Sequence, residues 1–265
     1  MTGSRNRKRV PSFSRTVFIM TIIFLSMPLF VLVLYSFNES KSGSWTGFSL
    51  RWYIKLFTGS PQLWHAFGNS AVVALSSALV ATVIGTLGAV AVNWYKFPLR
   101  KYLRTITFRP MILPEIIIGV SLLVFFSGIG LHLSLFTVFI AHVSFNLPFV
   151  FLLVLARLEE FDFSIIEAAR DLGASEWQTL MRVILPISMP GIISGFLTAV
   201  TLSLEDFVIT FFVTGPGATT LPLYVYSAIR FGVSPVINAL SVVMILGTVV
   251  LTWSTRNFLK YIAAK

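Results

Sequence analysis

Three carboxylates stand in stretches that are otherwise apolar: Glu115 in the run Met111–Ser127, and the adjacent pair Glu205 and Asp206 in the run Ile187–Val213. Neither run contains a lysine or arginine. A charge at the middle of a bilayer costs at least roughly 2.5–3.5 kcal/mol, so such acids face a polar pathway or find a partner. The chemistry open to them is electrostatic: acids without a nearby base or nucleophile suit a passing cation. At 1.5 Å of rise per residue, Glu205 lies roughly 22 Å along a helix counted from Pro190, whereas Glu115, behind Pro114, lies nearer the opposite end of its run. Three acids at two depths are therefore expected. Neighbours on a continuous helix diverge by about 100°, so Glu205 and Asp206 are not expected to point into one pore together. Phe145, Phe149, Phe211 and Phe212 could add cation–π contacts, although packing is the commoner duty of such rings. His65, His132 and His142 are scattered and read as hydrogen-bonded residues of a helix bundle.

The elements that must position these acids follow from composition. Of the 265 residues, 56% are hydrophobic and 11% charged, with a mean hydropathy of +0.86. A soluble domain carries about 25% charged residues, so this is an all-α, polytopic membrane protein embedded in a lipid bilayer. Six apolar spans are expected: about 17–37, 71–92, 111–127, 132–156, 187–213 and 236–253, each long enough for a hydrocarbon core of about 30 Å. The first follows a basic tail, residues 1–15. It is read as an uncleaved span with a kink at Pro28, because it is long for a signal peptide and no small-residue cleavage site follows. Residues 16–64 then hold this span and an external connection whose Trp45, Trp52, Tyr53 and Trp64 suit a membrane interface. Sixteen Lys and Arg fall on the side of the termini and four on the other. That places both termini on the cytoplasmic face.

The net charge of +10 punctuates apolar spans and forms no basic–aromatic patch, which argues against nucleic acid as a partner. Without cysteine there is neither a disulfide nor a thiolate metal site. No G-x-x-x-x-G-K-[ST], H-E-x-x-H or G-x-S-x-G occurs, so the chain offers no phosphate loop, catalytic cluster or metal site. It is not expected to be an enzyme or to bind a cofactor itself.

Six of the ten carboxylates lie in or just before one polar stretch, Ser164–Pro186, between the fourth and fifth spans. Ser164 with Glu167, and Ser175 with Gln178, have the spacing of capping boxes, and Gly173 suits a left-handed closing residue. A short helix, a glycine turn and a second helix running to Pro186 are expected. Glu167-Ala168-Ala169, then Gly173, then Val183-Ile184-Leu185-Pro186 resembles the E-A-A-x3-G-x9-I-x-L-P loop of membrane subunits of binding-protein-dependent ABC importers. Val183 replaces the usual isoleucine. The resemblance implies that residues 65–260 form the importer's transmembrane domain and that the loop, about 157–186, couples it to an ATPase. Glu167, Ala168, Ala169, Gly173, Leu185 and Pro186 would carry that contact, with ATP hydrolysed by partner subunits.

Within that family, S-F-N-L-P-F-V (144–150), S-L-E-D-F-V-I (203–209), F-V-T-G-P-G-A-T-T-L-P (212–222) and G-V-S-P-x-I-N-A-L (232–240) resemble spermidine/putrescine permease subunits of the PotC/PotI type. What this implies is an inner-membrane chain partnered by a second, similar permease, a dimer of ATP-binding subunits and a periplasmic polyamine-binding protein. Glu115, Glu205 and Asp206 would then line the pathway of a polycation. The rival expectations are the same machine with another cargo, such as ferric iron, or a secondary transporter or channel needing no ATP.

Overall fold

The computed structural model describes residues 12–41, 44–162, 164–230 and 234–263, with side chains described as far as residue 250. Arg5, Arg7, Lys8, Arg9, Phe163, Gly232, Val233 and the side chains of Arg256, Lys260 and Lys265 lie outside the described residues. All regular elements among the described residues are helices, with one isolated antiparallel bridge between Asn38 and Phe48. The chain divides into two compact units, one made of residues up to Pro61 together with those from Ala228, the other of Gln62–Ser227.

In the first unit, α1 (Ser12–Ser36) and α2 (Arg51–Thr58) both pack on the long last helix, α13 (Pro235–Ala263). α1 passes through Pro28 as one helix. The turn between α1 and α2 is ordered by Asn38, whose carbonyl accepts the indole N–H of Trp52 at 2.6 Å and whose side chain binds the backbone of Ser44 and Thr46. Trp52 is thereby buried rather than interfacial, because its single polar atom has a partner inside.

The second unit holds the acids. It runs through α3 (Pro61–Trp94), the short α4 (Arg100–Thr107) and α5 (Arg109–Ile112), α6 (Glu115–Gly128), α7 (Leu135–Glu159), α8 (Ser164–Asp171), α9 (Glu176–Thr179), α10 (Leu185–Glu205), α11 (Val208–Val213) and α12 (Leu221–Arg230). Four described helices are long and apolar enough to cross a membrane: Phe13–Ser36, Pro61–Trp94, Leu135–Glu159 and Glu176–Glu205. The expected third span is instead bent by 106° between Arg100–Ile112 and Glu115–Gly128, and counts as a fifth only if the two parts cross together. Leu113 and Pro114 are extended at the bend, since a proline disfavours helical geometry in the residue before it. The expected fifth span ends at Glu205 rather than Val213, and α13 is apolar over Pro235–Val250, as far as its side chains are described.

The core of this unit is α3, α7 and α10 packed through small residues. Val150 of α7 sits between Gly85 of α3 and Gly195 of α10: a Cβ built on either glycine would lie 3.0 or 3.2 Å from the valine side chain. Close approach of this kind is how helices associate where no hydrophobic drive operates between them. Gly191 makes a similar contact, with the backbone of Leu153 and the stem of Arg157. The prolines of α10 are accommodated by a π turn over Leu180–Ile184, in which the Leu185 N–H reaches back to the Leu180 carbonyl. The helix therefore continues through Pro186 instead of ending there.

Enlarging the groove residues should cost packing. Gly85→Val or Gly195→Val is expected to destabilise the protein by about 1–3 kcal/mol, the usual penalty for overpacking. Gly68→Ala, where a Cβ meets nothing within 4 Å, is expected to be neutral by the same thermal unfolding in detergent.

Candidate functional site

The peptide following Glu205 departs from helical geometry: Asp206 has φ −64° and ψ 118°, and α11 starts two residues on. A break inside an apolar segment strands backbone N–H groups, which must be paired away from water. Asp206 pairs them. Its Oδ1 accepts the N–H of Ile209 at 3.2 Å, and its Oδ2 accepts the N–H of Thr210 at 2.8 Å and the Thr210 hydroxyl at 2.6 Å. His142 Nε2 adds a fourth contact at 3.1 Å and also lies 2.9 Å from the Thr210 hydroxyl. A carboxylate accepts all four donors, which assigns the imidazole proton to Nε2 and leaves Nδ1 to accept the Ser203 hydroxyl at 2.5 Å. Ser77 of α3 closes the network at 3.3 Å from Ser203. Asp206 is only 7% exposed and His142 1%.

The three sequence-predicted acids thus differ in kind. Asp206 is buried and fully engaged, while Glu205, the last residue of α10, and Glu115, the first of α6, are exposed. The fold gathers their helices all the same: α6, which Glu115 opens, packs on α11, which starts two residues after Asp206. The gathering depends on Gly119, one turn into α6, where a Cβ would come within 2.7 Å of the Phe212 ring on α11. Of the four phenylalanines considered for cation–π contact, Phe145 is buried against Phe149, Phe212 packs on α6, and Phe211 is exposed. Phe207, which nothing in the sequence singles out, packs against Tyr226 of α12 beside the break, the rings tilted by 39° with centroids 4.6 Å apart.

In the sequence His142 is legible only as a bundle histidine. The missed signal is the spacing Ser203, Asp206, Thr210, which would fall on one face of a helix, together with a histidine in an apolar run. Ser203, His142 and Asp206 follow the order of a hydrolytic triad, but all three are buried, Ser203 only 5% exposed, which leaves a substrate no approach to the hydroxyl. Asn146, one turn along α7 and 0% exposed, has no partner for either amide atom among the described residues.

The polar stretch forms a compact hairpin at the other end of α10. α8 closes on Gly173 at φ +82°, with the Ala174 N–H bonded to the Ala169 carbonyl and the Gly173 N–H to that of Arg170, the paired bonds of a Schellman motif. The expected second capping box is present: Gln178 N–H to Ser175 Oγ at 3.3 Å, and Ser175 N–H to Gln178 Oε1 at 2.9 Å. At the first, Ser164 is already inside α8 and its N–H is held by Asp162 Oδ1 at 3.0 Å. Ser164 beside Asp162 holds that carboxyl below the usual carboxylate range. Ile166 turns into the core, while Glu167, Ala168 and Leu172 face outward, Leu172 89% exposed. Ala169 and Leu185 are half-buried and Pro186 is exposed. Two contacts brace the hairpin on the end of α3: Arg170 lies 5.5 Å over the Trp94 ring, and the Tyr95 hydroxyl donates to Glu176 at 3.3 Å.

The chain belongs to the family described as the binding-protein-dependent transport system inner membrane component, whose model matches residues 81–265. It is a permease subunit and not an enzyme. It is 40% identical over 234 residues to the Escherichia coli (strain K12) spermidine/putrescine transport system permease protein PotC, covering 88% of each chain. To the putrescine transport system permease protein PotI of the same strain it is 41% identical over 241 residues, covering 88% of this chain and 85% of the relative. Among solved structures it resembles a bacterial ABC transporter involved in import of the acidic polysaccharide alginate, with TM-score 0.73, 16% identity, and coverage of 97% of this chain and 99% of that one.

Asp206→Ala should leave the Ile209 and Thr210 N–H groups without their acceptor in the interior, with His142 Nε2 keeping the Thr210 hydroxyl alone. A loss of about 1–3 kcal/mol for each stranded group is the ordinary scale, so a clear fall in Tm in detergent is expected. Glu205→Ala, at an exposed position, is expected to leave Tm nearly unchanged.

Proposed function

We propose that this chain is one permease half of an ATP-driven importer of polyamines, spermidine and/or putrescine. The observation that carries the reading is that Glu115, Glu205 and Asp206 stand at the ends of neighbouring helices, with α6 packed on α11, in runs that contain no lysine or arginine. Aliphatic polyamines are flexible chains of ammonium groups, and carboxylates spaced along a pathway compensate the water such groups leave behind. The polyamine relatives support the same cargo. Within the cluster, Glu115 and Glu205 meet the cation, and Asp206 holds the break that presents them.

Six spans complete the permease in this proposal, the bent Arg100–Gly128 segment serving as the third and α13 as the sixth. The distribution of basic residues puts both termini and the α8 hairpin on the cytoplasmic side. There α8 docks into an ATP-binding subunit through Glu167, Ala168, Ala169 and Leu172. Gly173 lets the hairpin turn sharply, and the run from α9 through the π turn, Leu185 and Pro186 makes the hairpin and α10 one mechanical piece. A second, similar permease completes the pathway, and a periplasmic polyamine-binding protein delivers the substrate. ATP is bound and hydrolysed by the partner subunits, whose closure moves α8 and, through α10, the acid cluster about 30 Å away at 1.5 Å per residue.

Two experiments test the two ends. Glu115→Gln with Glu205→Gln is expected to cut ATP-dependent spermidine uptake tenfold or more in proteoliposomes of the assembled importer, with assembly intact; wild-type uptake would overturn the cation reading. Glu167→Lys or Gly173→Val is expected to uncouple ATP hydrolysis from uptake, or to prevent the ATPase from assembling, while the chain still inserts. Coupled transport in both variants would overturn the docking role.

A further inference from the structure

We infer that His142 is a positioning residue for transport: its imidazole staples α10 to α11 across the break and so fixes where Glu205 stands relative to Glu115. The inference rests on the cation-pathway reading for its consequence, though not for its geometry. The three partners of the ring are Ser203 before the break, Asp206 at the break and Thr210 after it, at 2.5, 3.1 and 2.9 Å. The ring comes from a different helix, α7, and is buried on every side.

A break with helix on both sides is a hinge unless something spans it. The Asp206 carboxylate ties the break forward to α11, at Ile209 and Thr210, and the residue's own N–H bonds back to the Leu202 carbonyl of α10 at 3.1 Å. Ser203 alone ties α10 to α3 through Ser77. His142 joins side chains on both sides of the break from a separate helix, Ser203 through one ring nitrogen and Asp206 and Thr210 through the other. Because α11 is also the helix against which α6 packs through Gly119 and Phe212, fixing α10 on α11 fixes the end of α10, Glu205, on the start of α6, Glu115. No other side-chain type does this at one position: glutamine offers a donor and an acceptor from a flexible stem, whereas imidazole holds them on opposite edges of a rigid ring.

The chain has no cysteine, so Glu115→Cys with Glu205→Cys creates its only thiol pair. In the full chain in lipid nanodiscs, a short bis-methanethiosulfonate reagent is expected to cross-link this pair several-fold more slowly when His142→Leu is added, with partial recovery for His142→Gln. An unchanged rate overturns the staple whatever the transport data say. Where His142→Leu does not accumulate as folded protein, Thr210→Val and Ser203→Ala each remove one arm and are expected to slow the same reaction; unchanged rates in both overturn the inference. The consequence for transport is read separately, in the assembled importer with glutamates restored. His142→Leu is expected to lower maximal spermidine uptake about tenfold, and its combination with Glu205→Gln to be no worse than the weaker single variant. Effects that multiply would show that His142 does not act through Glu205. Normal uptake by Glu205→Gln alone would remove the pathway reading, while the cross-linking rates would still decide the staple.

Discussion

A helix cannot be interrupted inside an apolar bundle unless the peptide groups it releases are paired, and the pairing around Asp206 is the constraint from which the rest of this structure follows. Each stranded N–H would otherwise cost several kcal/mol in a hydrocarbon setting. One carboxylate answers two of them and a hydroxyl besides, and then requires compensation for its own burial. His142 provides it, and commits its other nitrogen to Ser203. The break ends α10 on an exposed Glu205 and lets α11 turn alongside α6, the helix that Glu115 opens. An unbroken helix through residue 213 would have carried the pair past α6 at whatever angle its pitch dictated.

The opposite end of α10 is built for transmission. The Schellman closure at Gly173 and the capping box at Ser175 leave little slack between α8 and α9, and the π turn carries the helix through Pro186. The close contacts of Gly191 and Gly195 with α7 pack α10 along its length against a helix that itself reaches His142. A displacement of α8 in the proposed cycle would therefore arrive at the break as motion of α10 against α7, the two helices that the imidazole joins.

The local and chemical features of the hairpin are legible in the sequence because they are short-range: a serine with glutamine three residues on and a glycine at the closing position specify a geometry with little help from the fold. The all-helical membrane class follows as directly from composition. Long-range features do not. Ser203, Asp206 and Thr210 lie 61, 64 and 68 residues from His142, and no spacing along the chain announces that pairing. The run Ile187–Val213 reads as one span because every residue in it but two is uncharged, and hydropathy does not register a carboxylate that caps a helix instead of interrupting it. Pro114 announces a break in the helix at Leu113, but not the angle at which the two parts meet. Residue type alone puts Trp52 at the interface, whereas a carbonyl of Asn38 within reach of its N–H allows it inside.

The central claim is that this permease moves a polycation only when an ATPase drives it through α8. Reconstitution tests it most directly: spermidine uptake into proteoliposomes containing this chain, its partner permease and the ATP-binding subunits, with the loaded binding protein outside and ATP inside. Uptake is expected only when all components and hydrolysable ATP are present, with nothing above background from this chain alone. Spermidine accumulation by the chain without the ATPase would contradict the account.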